Sequence, residues 1–168
     1  MEFSLSRRQT LPKKIRYFLE YVLFRLILVP IQMLTHGGIL RLGKILGNVY
    51  YHCSPKRRKT ARINLDIAFG DSKPPQEKNR IIKQSMIHMI VTALQCLWVT
   101  RNTEQRVLHL FPSEPQGLEH LNRCLERGKG VFFLMAHYGN WESHGMYWGY
   151  KNFAKVYSIA RKLDNPYF

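Results

Sequence analysis

Residues 17–34, YFLEYVLFRLILVPIQML, are mostly apolar, yet Glu20, Arg25 and Gln32 interrupt them and leave Leu26 to Ile31 as the longest unbroken run. A spanning helix wants about 18 or more consecutive apolar residues, so the run fits a simple span poorly, and whether it spans or lies on the membrane stays open at this point. A cleaved signal peptide fits poorly too: no small-residue cleavage site closes the run, and a second apolar stretch, Ile39 to Tyr51, follows it. Two apolar helices remain, and the flanks indicate where they lie. Arg7, Arg8, Lys13, Lys14 and Arg16 precede the first, and Lys56, Arg57, Arg58, Lys59 and Arg62 follow the second. Basic clusters on both sides suit a monotopic or re-entrant attachment to the anionic cytoplasmic leaflet. The competing reading is a buried core helix with Glu20 and Arg25 at its edges. Residues 1–52 are therefore assigned to basic, apolar attachment helices, and 53–168 to one further domain, as a length of 168 residues suggests.

The charge distribution agrees with that division. The chain carries a formal net charge of +15, and residues 1–62 alone hold thirteen basic and two acidic side chains. Such a surface attracts phosphate on lipid or on nucleic acid. There is no zinc module, no aromatic RNA-binding strand and no basic recognition helix, so lipid is the expected anion and nucleic acid is not an expected partner. Cys53, Cys96 and Cys124 are widely spaced and read as reduced thiols; neither a metal nor a cofactor is expected.

Past the basic cluster, Lys56 to Phe69 reads as a helix ending at Gly70, and Gln76 to Val99 as a long amphipathic helix. On the latter, Glu77, Lys78, Arg80 and Lys83 read as a solvated face, and His88 and Cys96 as packing residues. Val107 to Phe111 reads as a strand, Gly117 to Arg127 as a helix, Val131 to Ala136 (VFFLMA) as a buried strand, Asn140 to Tyr150 as a helix and Ala154 to Ala160 as another strand. This β-α-β order predicts an α/β fold: membrane-associating helices followed by the first part of a helix-flanked, mainly parallel sheet.

At the carboxyl end of the VFFLMA segment stands His137-Tyr138-Gly139-Asn140-Trp141-Glu142. Ligands of open α/β sheets bind outside such strand ends. Five helical steps would turn His137 and Glu142 about 140° apart, so the helix must begin between them. Gly139 permits the turn and Asn140 is a good N-cap, which places Glu142 in the first helical turn, able to reach back toward the imidazole. A histidine steered by a carboxylate is a general base without an enzyme nucleophile, suited to activating a substrate hydroxyl directly. Taken alone, the spacing arises often by chance, and a locally hydrogen-bonded histidine explains it as well.

The wider context decides. HYGNWE, preceded by GKGVFFLMA and followed by VYSIARKLDNP, resembles the bacterial lipid A biosynthesis acyltransferases, the late lauroyl or myristoyl enzymes, and the basic helix RRKTARINLDIAF and GLEHLNRCLERGKG extend the resemblance upstream. It implies a glycerolipid-acyltransferase-like fold at the cytoplasmic face of the bacterial inner membrane. The implied reaction carries a fatty acyl chain from acyl carrier protein to a hydroxyl of a lipid A precursor, with His137 as catalytic base and Glu142 as its acidic partner. Asn140, or backbone amides beside it, is the candidate oxyanion donor, Arg161 a candidate for the donor's phosphate or pantetheine, and Trp141, Tyr147 and Trp148 candidates for an acyl pocket. Lys162 stands where the family usually has proline after this arginine. The family pattern continues past Asp164-Asn165-Pro166-Tyr167-Phe168, so a truncated and inactive form is also expected. The alternatives are another glycolipid or phospholipid acceptor, and a non-enzymatic basic binding protein.

Overall fold

The computed structural model describes residues 11–153, 155–159, 161 and 163–168. The order of elements is α1 (Leu11–Met33), α2 (His36–Cys53), α3 (Pro55–Phe69), a 3-10 turn at Gly70–Ser72, α4 (Pro75–Trp98), α5 (Thr103–Leu110), α6 (Leu118–Glu126) and α7 (Trp141–Lys151). Local chemistry sets most of the ends. Thr35 caps α2 by accepting a hydrogen bond from the Gly38 amide at 3.1 Å. Pro55 and Pro75 open α3 and α4, where their missing N–H costs nothing, and Gly70 at φ 48° ends α3.

The centre of the molecule is the pairing of α2 with α4. His36 stacks near Trp98, Gly43 meets Val91, Gly47 meets Ile87 and Tyr51 lies near Lys83, so numbers fall along α4 as they rise along α2 and the helices are antiparallel. Gly43 and Gly47, one turn apart, let the backbones approach. A Cβ at Gly47 would sit 2.6 Å from the Ile87 Cα, and one at Gly43 2.6 Å from a Val91 methyl. The core gathers at one end of this pair: Ile31, Ile39, Leu94, Trp98, Val99, Val107 and Tyr147 draw in α1, α5 and α7. Two polar side chains lock that end. The Trp98 indole donates to Leu34 O at 2.8 Å, while Arg106, lying over the Trp98 ring, donates to Trp98 O at 2.6 Å and Gln32 O at 2.8 Å, satisfying carbonyls freed by two helix ends.

The expected α/β architecture is not found. Among the described residues there is no strand. Val107 lies buried within α5, a helix where a strand is predicted. Residues 131–136 are irregular and exposed, with Phe132 and Leu134 open to solvent, and so are residues 155–159; Ala154 and Ala160 lie outside the described residues. The reason is that a strand is defined by its ladder of hydrogen bonds to a neighbour, and an apolar run supplies propensity without supplying the neighbour. The predicted helices fare better: 56–69, 76–99, 117–127 and 140–150 all appear within two residues of their predicted ends. Lys78 is not on a solvated face but buried, bonded to the Asp66 carboxylate at 2.6 Å and to Gly70 O at 2.7 Å, tying the end of α3 to α4.

No described helix is long and apolar enough to cross a membrane. Along α1, Leu11, Ile15, Leu19, Val22, Leu26, Val29 and Met33 form a continuous exposed apolar stripe. A different side of α1 receives the final residues: Asn165 donates to Tyr17 O at 3.0 Å, and Tyr167 and Phe168 pack on Phe18, Tyr21 and Phe24.

Because a Cβ at position 47 meets backbone, Gly47→Ala is expected to lower unfolding stability by about 1–3 kcal/mol, the usual cost of overpacking. Gly37→Ala, where nothing lies within 4 Å, serves as the control and should not destabilise. Denaturant melts of the two variants check this.

Candidate active site

The turn at residues 136–140 is built by short-range geometry. The Tyr138 amide donates to Ala136 O at 2.8 Å, and Gly139 adopts φ 61°, which a side chain would oppose. Asn140 then caps α7, its Oδ1 accepting from the Ser143 amide at 3.1 Å. The helix thus begins between His137 and Glu142 as predicted, with Glu142 in its first turn. His137 is exposed and lies against the Trp141 ring, with centroids 4.9 Å apart. No ion pair within 4 Å joins it to Glu142, so the two groups share one turn without touching.

His137 opens onto a groove of about 850 Å³ between this turn and one face of α4. A smaller recess of about 380 Å³ lies along the same turn and is lined by Phe111, Met135, Tyr138 and His144. The turn therefore borders two separate spaces, one of which reaches the imidazole.

A chain of hydrogen bonds fixes the cap from behind. Asn140 Nδ2 donates to Gln95 Oε1 at 2.9 Å, Gln95 Nε2 meets His36 Nε2 at 3.2 Å, and His36 Nδ1 meets His109 Nε2 at 3.2 Å. Gln95 Nε2 can only donate, so the network assigns His36 as an acceptor at Nε2 and a donor at Nδ1, the neutral imidazole. Burial, and then the neighbouring His109, lower the His36 pKa and favour the same form. Behind the cap, the half-buried Cys96 thiol is pushed up by burial and by the Glu142 charge, which keeps it protonated and makes it a poor nucleophile.

Not every residue singled out in the sequence comes to this place. Arg161 is exposed beside Asp164, with which it pairs at 3.6 Å, and does not line the groove. Tyr147 is buried in the core and Trp148 packs against Phe133 and Phe153; of the three aromatic candidates only Trp141 borders the groove. Asn140 is present, but its oxygen and one side-chain N–H are already engaged. His88, read as a packing residue, is exposed on the groove. Gln95, His36 and His109 were not marked by the sequence at all. The signal available for Gln95 was the polar row Gln84, Ser85, His88, Thr92 and Gln95 at helical spacing along one side of α4. Among the described residues no group of three or more His, Cys, Asp or Glu is placed to hold a metal ion.

The sequence profile of a family described as bacterial lipid A biosynthesis acyltransferase matches residues 5–168. No curated protein and no solved structure matches the chain.

Protonating His36 at Nε2 would set two donors facing each other at Gln95. Its lowered pKa means that the unfolded chain binds the proton more readily between the folded pKa and the ordinary value of about 6.5. Stability is thus expected to be full above about pH 6.5 and to fall as pH drops through that window. His36→Gln should flatten the dependence, as read by melting temperature against pH.

Proposed function

The chain belongs to the bacterial lipid A biosynthesis acyltransferase family, and from that premise we propose that it moves a fatty acyl chain from an acyl-carrier-protein thioester to a hydroxyl of a lipid A precursor, with His137 as general base. Membership gives acyltransferase chemistry of the lipid A type. The finer reading is carried by one observation: an exposed imidazole on a helix-opening turn, bordering a groove, with a carboxylate in the next helical turn.

In this mechanism the imidazole takes the acceptor's hydroxyl proton as that oxygen attacks the thioester carbonyl. The tetrahedral oxyanion collapses, the carbon–sulfur bond breaks, and the imidazolium returns its proton to the departing thiolate. Glu142 stabilises the imidazolium by charge, closing on it as substrates tighten the turn; catalytic contacts are commonly loose in the free enzyme. The free amides of Trp141 and Glu142 in the first turn of α7 are the oxyanion donors, since the Ser143 amide is taken by the cap. The acceptor is a lipid, and the apolar stripe of α1, with Lys13, Lys14, Arg16 and Arg25 on the same helix, lays that helix on the cytoplasmic face of an anionic inner membrane.

His137→Ala should reduce transfer from acyl carrier protein to a lipid A precursor by about 10²- to 10⁴-fold. The melting temperature should not change, because the ring is exposed. Unchanged transfer would overturn the assignment. For the membrane contact, Leu19→Asp combined with Leu26→Asp should release the protein from vesicles of anionic phospholipid, whereas high salt alone should leave the wild type in the pellet. Sedimentation with vesicles reads this.

A further inference from the structure

A cleft of about 280 Å³ opens between the end of α2, the first half of α3 and the early turns of α4, and it shares no lining residue with the groove that His137 borders. Its polar lining is Tyr51, Arg58, Lys59, Arg62 and Asn79. Arg58 and Arg62 stand one turn apart on α3 and so lie on the same side of that helix. Neither is held by an acid. Arg62 donates to Pro75 O at 3.3 Å and to the Asn79 side chain, whereas the Arg58 guanidinium lies 4.9 Å from the centre of the Tyr51 ring, with the Lys83 ammonium 6.0 Å from the same centre. Arg58, Arg62 and Lys83 are half-buried. Among the described residues, none of these three cations, nor Lys59, has a carboxylate within 4 Å. Helix α2 carries no acid, and the single acids of α3 and α4, Asp66 and Glu77, are held by Lys78 and Lys73.

We propose that this cleft binds a phosphate group carrying two negative charges, a phosphomonoester, at a site separate from the candidate active site. Four cations gathered about one aromatic ring repel one another, and half-burial reduces the solvent screening that would relieve them. A cleft of one sign concentrates ions of the other, and the missing counter-charge is not supplied by the chain. The arginines are suited to supplying the contacts, because a guanidinium forms charge-assisted, bidentate hydrogen bonds to phosphate and both are already oriented, Arg62 by Asn79 and Arg58 by stacking on Tyr51. The number of cations sets the charge of the ligand: a singly charged phosphodiester or carboxylate would satisfy one of them, whereas a dianion engages both arginines. The size limits the rest, since the cleft lies just below the range of about 300–1,000 Å³ usual for ligand pockets and takes a headgroup rather than a whole lipid. Two sources offer this chemistry, a phosphomonoester headgroup presented by a bilayer and a free phosphorylated small molecule. The inference does not depend on the acyl-transfer reading.

The test uses the full chain and two soluble probes, glycerol 3-phosphate as the monoester and glycerophosphoglycerol as the diester, each titrated by calorimetry. The monoester should bind about tenfold more tightly, as expected for one added charge-assisted contact, and Arg58→Gln combined with Lys59→Gln should erase the difference. A second measurement needs no variant. Lysine acetylation read by mass spectrometry should show Lys59 protected several-fold by the monoester, while Lys56, in the same basic run but outside the cleft, stays as reactive as before. Phosphatidylcholine vesicles containing phosphatidic acid, compared with the soluble monoester at equal phosphate concentration, separate the two sources. Protection of Lys59 by the vesicles alone assigns the cleft to a lipid headgroup, and protection by the soluble ester assigns it to a free phosphorylated molecule; either result supports the site. Equal affinity for the two esters, equal protection of Lys56 and Lys59, protection by neither probe, or a monoester preference that survives the double variant would overturn it. Polyglutamate binding more tightly than the monoester, and displacing it, would make the cleft a contact for an acidic protein and count against the inference.

Discussion

Everything near the candidate site depends on how closely α2 can approach α4. Glycines 43 and 47 place the α2 backbone against Val91 and Ile87, a distance that no residue with a side chain would allow without movement. This contact takes one face of α4, and the groove opens along the neighbouring face, with Val91 at the boundary of the two. The same register brings His36, at the start of α2, beside Gln95 and Trp98 near the end of α4. Packing and polar positioning are thus two results of one helix pair. An approach of this kind has no apolar side chain of its own to bury, so its worth lies in the dispersion contacts of a tight fit and is forfeited quickly when the fit is lost.

The polar chain from His109 through His36 and Gln95 to Asn140 has a different character. Its members are only partly buried, and each link is an ordinary neutral hydrogen bond worth about 0.5–1.5 kcal/mol net. Such a chain contributes little to global stability, but it fixes direction. Asn140 could cap α7 without Gln95; with Gln95 the cap, and hence the turn that carries His137, is also tied to α4, which forms the other side of the groove. The turn itself is held by one short backbone bond and a glycine at positive φ. The anchor therefore sits where the local backbone is least able to hold a shape alone.

The sequence made the helices legible and the sheet not, and the difference is physical. A helix closes its hydrogen bonds within one segment, so capping residues, periodicity and Gly70 were sufficient to bound α3, α4 and α7. A strand closes its bonds elsewhere, and VFFLMA has the composition of a buried strand without a ladder among the described residues. The motif HYGNWE was readable down to the position of the cap, because the reasoning rested on helix geometry. The support behind it was not, because His36, Gln95 and His109 are far apart in the chain and each looks like a single polar residue. The glycine spacing of the α2 contact was visible in GKILG, but a pair of glycines in a helical stretch identifies no partner by itself.

The helix that carries the exposed apolar stripe is joined directly to the candidate site. The last turn of α1 is fastened to the end of α4 by Arg106 and Trp98, and the next residues of the chain lead into His36, which starts the polar chain to Asn140. Only a few residues therefore separate the helix read as lying on the membrane from the network that positions His137. Arg80 lies at the other end of α4, beyond the core cluster, with the strongly basic α3 packed near that end through Lys78 and Asp66. The groove along α4 therefore runs between two ends of unlike character, one tied to the core through Gln95 and His36 and the other beside the basic α3.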